Sequence, residues 1–317
     1  MKIMNFIGEI HKSLKEGGLS KALDSWDDLR SKNTLINLVY HLDSRFYGIY
    51  PLLEKFFQMD KDIESYGLQN ASKFFLDNIG INIDREGKEE TWIKSKKKGV
   101  LLFGSHEFTI EPFIIPSILQ RSDVSVIVIK TAYHFGKNFK KNFIPIMPKR
   151  YAVDSPIRGL RDLFSPVNAL YRSENLSEKD IIRLNQGSLK KAAHKLVNGE
   201  VVVIFPGAGS QITNKWGEGI GRIVKNVLSF ENINLDNIIL VPFLFYGLSV
   251  RDVFNCARER QRQRNEKGSF KKMGLMFGKE LNLRGLVEKL GYSSEPVKIA
   301  NFLKKKSLKE FETVLFK

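Results

Sequence analysis

Cysteine is nearly absent from this chain of 317 residues: only Cys256 occurs. A lone thiol forms no internal disulfide framework and no cysteine-based metal cluster, so the expected setting is a reducing, cytoplasmic one. Long apolar runs are missing too. No uninterrupted stretch approaches the roughly 18 residues that suggest a spanning helix. The N-terminus reaches Glu9 and His11 too soon for a secretory signal. Nucleotide-binding loops fail on specific residues. Gly-Lys-Ser/Thr does not occur, and a dinucleotide fingerprint starting at Gly207 would need glycine where Ile212 stands. The Gly-x-Ser-x-Gly nucleophile elbow is absent. No set of histidines and acids has zinc spacing, so neither a metal nor a bound cofactor is expected. Acids are few relative to bases, 35 Asp and Glu against 51 Lys and Arg, giving a net charge of +16. Such a field draws phosphates, whether on lipid headgroups, nucleic acid or a phosphopantetheine-bearing molecule.

What is present is ordinary globular material, 42% hydrophobic and 27% charged. Residues 1–75 read as a helical N-terminal region. Leu35, Leu38 and Leu42, then Leu52, Leu53, Phe56 and Phe57, recur at helical intervals, with Gly17-Gly18 and Tyr50-Pro51 as breaks. After a polar segment at residues 84–90 the pattern changes. Short apolar runs at 100–103, 124–129, 144–147, 201–205, 238–245 and, more weakly, 273–277 alternate with helical stretches at 187–197 and 219–228. Continuous β-branched runs separated by helices predict a mixed, mostly parallel central sheet flanked by helices, an α/β domain over residues 76–317.

One segment carries chemistry. The run Val100 to Phe103 ends in a turn holding His106, and Glu111 follows five residues later. A histidine oriented by a carboxylate is a general base suited to taking a proton from an alcohol. His11 and Glu16 share the spacing, but they stand in a helical pattern, where residues five apart point about 140° from each other. A strand end lets the chain turn back, so His106 and Glu111 are the pair expected to meet.

A second segment, Val201 to Phe205 followed by Pro206-Gly207-Ala208-Gly209-Ser210, reads as a strand running into a glycine-rich turn. Exposed N–H groups in such a turn bind anions. Taken in order, Ser105-His106…Glu111-Pro112, Pro148-Lys149-Arg150, Ile204-Phe205-Pro206-Gly207-Ala208-Gly209-Ser210 and Leu240-Val241-Pro242 resemble the four blocks of the glycerolipid acyltransferase superfamily. Residues 185–199 resemble its helix before the Phe-Pro strand, and residues 273–281 its late strand and turn. The resemblance spans about residues 80–285.

The resemblance implies an O-acyltransferase that moves a fatty acyl group from acyl-CoA or acyl carrier protein to a hydroxyl of a glycerol-phosphate or lysophospholipid-type acceptor. His106 would be the base and Glu111 its orienting partner. Phe205, Pro206, Gly207, Gly209 and Ser210 would line the substrate, and backbone N–H groups at 207–209 would meet an oxyanion or phosphate. Arg150, with Lys149, would hold a phosphate. Four departures bear on this. Ser105 stands for the family's asparagine and Glu111 for its aspartate. Gly207 and Ser210 replace the glutamate and arginine that engage the acceptor, which favours a different lipid or sugar hydroxyl. The basic runs suit peripheral contact with an anionic membrane. A non-catalytic lipid or nucleic-acid binder is the alternative, although nucleic acid is not expected because the basic runs lack interleaved aromatics. His134 reads as a packed or loop histidine, His194 as solvated on a lysine-rich helix, and Trp216 as core.

Overall fold

The computed structural model describes residues 12–13, 16, 21–28, 31–32, 49–86, 98–106, 110–119, 121–154, 174–207, 216–258 and 271–315. Leu35, Leu38, Leu42, His11, His41, Gly209 and Ser210 lie outside them, as do most of the basic runs at 94–98 and 258–264.

In chain order the principal elements are α1 (Ile49–Ile79), β1 (Ile81–Glu86), β2 (Gly99–Gly104), α2 (Glu111–Ile118), β3 (Val124–Ile129) and β4 (Phe143–Ile146). There follow α3 (Glu178–Val197), β5 (Val201–Ile204), α4 (Gly219–Leu228), β6 (Ile238–Tyr246), α5 (Val250–Ala257), β7 (Lys271–Phe277), β8 (Leu281–Asn282), α6 (Leu283–Leu290) and α7 (Pro296–Glu310). The eight strands form one sheet in the order β1-β7-β6-β2-β5-β3-β4, with β8 beside β6. β2 runs parallel to both β5 and β6, β3 parallel to β5, and β1 parallel to β7. β6 pairs antiparallel with β7 and with β8. The fold is the expected mixed, mostly parallel α/β arrangement. β2 and β5 are buried along their whole length, as helix-covered parallel strands must be, which is why both read as unbroken apolar runs.

Contacts divide the chain into two compact units. One comprises Met1–Ile79, Val128–Ser188 and Phe254–Gly268; the other comprises Gly80–Ile127, Leu189–Val253 and Ser269–Lys317.

In the first unit, α1 begins at Ile49, beside Tyr50-Pro51, where the sequence suggests a break. Proline lies in the first turn, where its missing N–H costs no helical bond. Within α1 the helical backbone is interrupted at Gly67, with φ 76°. Phe56 of α1 stacks on Phe75 and Phe135, each at 5.0 Å between centroids. The buried Asp60 carboxylate accepts hydrogen bonds from the N–H groups of Asn138 (2.8 Å) and Phe139 (3.2 Å). A Cβ on Gly136 would fall 2.0 Å from Asp60 Cγ, so only glycine admits that carboxylate. Further along, Met147, Ala152 and Ile181 form a small core over which Leu184 and Tyr151 pack.

The second unit holds the central strands. Ile220, Ile223, Val224 and Val227 of α4 follow the helical i, i+3, i+4, i+7 pattern and are all buried. At roughly 1.5–3 kcal/mol per buried aliphatic side chain, this face dominates the helix's contribution. α4 approaches α7 closely: a Cβ on Gly221 would lie 1.9 Å from the Pro296 carbonyl oxygen. Arg121, 1% exposed, ties together the leading ends of three strands. Its guanidinium donates to both carboxylate oxygens of Asp123 before β3, to the Lys98 carbonyl before β2 (2.9 Å) and to the Gly199 carbonyl before β5. The fork of donors satisfies the buried charge, which would otherwise be costly.

Candidate active site

β2 delivers His106. Its last residue, Gly104, allows a close crossing with β6, because a Cβ there would sit 2.4 Å from the Phe243 carbonyl oxygen and 2.5 Å from its ring. Two residues on, the His106 side chain is 23% exposed. The chain returns at Glu111, which opens α2, a helix buried from Glu111 to Ser117. Pro112 fits in the first turn, and a carboxylate at a helix N-terminus is favoured by the positive end of the helix dipole.

His106 Nδ1 and Glu111 Oε2 lie 2.9 Å apart, and the Glu111 side chain is fully buried. A carboxylate only accepts, so this bond places the proton of a neutral imidazole on Nδ1 and leaves the lone pair on Nε2. Burial of the carboxylate denies it competing water. The imidazole also meets Phe205, with centroids 4.9 Å apart and ring planes at 39°. Phe205 rests edge-on against Phe243 at 5.7 Å, and Phe243 against Phe245 at 5.7 Å. The base thus touches both a buried carboxylate and an aromatic stack. Ser105 Oγ, beside it, is buried without a hydrogen-bond partner among the described residues.

The turn after β5 brings Phe205 and Pro206 into the buried interior and leaves Gly207 partly exposed. Gly209 and Ser210, expected to line the substrate, are outside the described residues. Gly217 N–H donates to the Pro206 carbonyl at 2.9 Å, closing the loop's far end. Trp216 is buried and edge-on to Phe103 at 6.0 Å, a core residue.

Lys149 and Arg150 belong to the first unit, on a 3-10 turn after β4. Lys149 pairs with Glu178 at 3.1 Å, both side chains at least half exposed. Arg150 lies over the Tyr151 ring at 4.8 Å and donates to its hydroxyl at 2.9 Å.

Sequence reasoning missed a second histidine–carboxylate contact, in the first unit. His134 Nε2 donates to Glu174 Oε1 at 2.6 Å, and Lys130 donates to Oε2 of the same residue. Burial works to raise the Glu174 pKa, but the hydrogen bonds and charges of His134 and Lys130 outweigh it and hold the carboxyl at about 2. No local signal marks this pair, because 40 residues separate its members. His194 is exposed, as expected, with Nδ1 3.0 Å from the Asn198 amide. Among the described residues no cluster of three or more His, Cys, Asp or Glu could hold a metal, and no helix is long and apolar enough to cross a membrane.

No protein-family model and no curated protein matches the chain. Among solved structures it is similar to the 1-acyl-sn-glycerophosphate (LPA) acyltransferase PlsC from Thermotoga maritima. That similarity has a TM-score of 0.39 and 13% sequence identity, and covers 84% of this chain and 97% of that one.

Proposed function

We propose that the protein is an acyltransferase that uses His106 as general base and Glu111 as its orienting partner. The observation that carries this reading is the 2.9 Å contact from Nδ1 to a fully buried carboxylate at the end of a parallel strand. An acceptor hydroxyl gives its proton to Nε2 as its oxygen attacks the carbonyl carbon of a thioester. The carbon–oxygen bond forms, the carbon–sulfur bond breaks, and the proton passes from the imidazolium to the departing thiolate. Glu111 stabilises the imidazolium in between without taking the proton itself. The acyl donor is acyl-CoA or an acyl carrier protein, and no bound cofactor takes part.

The acceptor is a lipid-type hydroxyl, and the order of the four sequence blocks supports a glycerol-phosphate or lysophospholipid. Gly207 and Ser210, in the positions of the block's glutamate and arginine, favour a second acceptor class, another lipid or a sugar hydroxyl. The net charge of +16 supports peripheral contact with anionic lipid.

The test is transfer from labelled acyl-CoA to a panel of lysophosphatidate, glycerol-3-phosphate and glycolipid acceptors, read by mass spectrometry. His106→Ala is expected to lower turnover on the order of 10²–10⁴-fold while keeping its melting temperature. Wild-type turnover in folded His106→Ala protein would sink the mechanism. Inactivity of the wild type on every acceptor, combined with tight lipid or nucleic-acid binding, would leave a binding module.

A further inference from the structure

We infer that the second unit carries an accessory site, remote from His106, for a small phosphorylated ligand of nucleotide chemistry. An open cleft of about 540 Å³ lies along the C-terminal half of α3, lined by Lys190, Lys191, His194, Lys195, Glu200 and Phe230. Small-molecule sites typically have volumes of roughly 300–1,000 Å³. The charge in it is unbalanced. Lys195 is paired with Glu200 at 2.5 Å, whereas Lys190 and Lys191 have no ion-pair partner among the described residues. Three lysines against one carboxylate leave two uncompensated positive charges in one concavity, which a phosphate pair would neutralise. Phe230 adds a flat wall beside them, its ring 6.0 Å from and edge-on to that of His194.

The strand register separates this cleft from the dyad. Glu200 immediately precedes β5, whose Val201 is in register with Val100 of β2. β2 runs four residues beyond Val100 to Gly104, about 13 Å at roughly 3.3 Å per residue, and His106 follows two residues later. The cleft therefore lies at the leading end of the parallel strands and His106 at their trailing end. A ligand held by Lys190 and Lys191 does not touch the reacting atoms, so the site does not depend on the acyltransferase reading. The shape favours a small ligand over a membrane or a nucleic acid. The wall is concave, and Val250, Tyr292 and Val297, large exposed hydrophobic side chains of this unit, are not part of it.

Calorimetric titration of the full chain with ADP, inorganic phosphate and adenosine tests the site. Saturable ADP binding is expected, weaker binding of phosphate, and a roughly tenfold or greater loss of ADP affinity in Lys190→Ala/Lys191→Ala. Both lysines are exposed, so the variant should melt as the wild type does. Phe230→Leu should weaken ADP several-fold and leave phosphate unchanged. His106→Ala should bind ADP as the wild type does, which separates this site from any nucleotide-bearing donor at the dyad. Unchanged ADP affinity in the double lysine variant would overturn the proposal. So would absence of ADP binding, with anionic vesicles or duplex DNA captured through the same lysines instead.

Discussion

Gly104 and Phe243 share a space that only one of them can fill. A Cβ on the glycine would lie 2.5 Å from the phenylalanine ring, the same ring that backs Phe205 and, through it, His106. The imidazole's position therefore depends on a hydrogen atom two residues upstream.

Gly104→Ala should displace Phe243 and loosen the aromatic stack. The expected cost is about 1–3 kcal/mol of stability, the usual range for overpacking a core. Transfer activity should fall by more than the stability loss explains, because a small misplacement of the base lowers rate steeply. Urea unfolding together with kcat/KM measured well below the melting temperature checks both.

Glu111→Gln removes the charge but keeps the shape. The amide can turn its NH₂ towards Nδ1, which would shift the imidazole proton to Nε2 and abolish the base. The expected fall in kcat/KM is on the order of 10²–10⁴-fold with KM little changed. Steady-state kinetics on the best acceptor decides it, and a loss confined to KM would assign Glu111 to binding instead.

Arg121→Ala leaves the Asp123 carboxylate and the Lys98 and Gly199 carbonyls without their shared donor. The arginine is buried but the Asp123 side chain is 31% exposed, so the expected cost is that of the lost charge-assisted hydrogen bonds, roughly 1–3 kcal/mol. Arg121→Lys should recover little, since an ammonium cannot reproduce the fork. Chemical denaturation of both variants measures the difference.

Glu174 makes stability depend on pH in a defined window. Its carboxyl is depressed from 4.5 to about 2 in the folded protein. A depressed acid contributes stability that is complete above about pH 4.5 and is lost as the pH falls towards 2. With partial solvent screening allowed for, the contribution is about 1–2 kcal/mol. Unfolding curves at about pH 6, 4.5 and 3 should show wild type losing this increment, while Glu174→Gln starts lower and has a shallower slope.

Parts of this molecule were legible in the residues alone. The helix at Gly219–Leu228 has the limits that its apolar spacing predicts, and the five stronger apolar runs became β2, β3, β4, β5 and β6 within a residue at each end. β1 was not legible. Residues 84–90 read as a polar segment, yet Ile81–Glu86 is a strand that among the described residues pairs with β7 alone, and exposed Asn82 and Asp84 are tolerated there because the strand lies at the sheet edge. α3 begins at Glu178, nine residues earlier than its apolar pattern suggests. Its first turns carry Ile181 and Leu184 onto Met147 and Ala152, and Asn185 onto the Met147 backbone, contacts between distant segments.

The candidate site divides in the same way. Sequence by itself determined that His106 follows the end of a buried strand and that Glu111 comes within reach, because both facts are local. Tertiary structure decided the rest. It brought Phe205 from β5 against the imidazole, set Phe243 of β6 over Gly104, and paired His134 with Glu174. Each of these relations joins residues far apart in the chain, and their contacts are fixed by strand order and packing rather than by any local pattern.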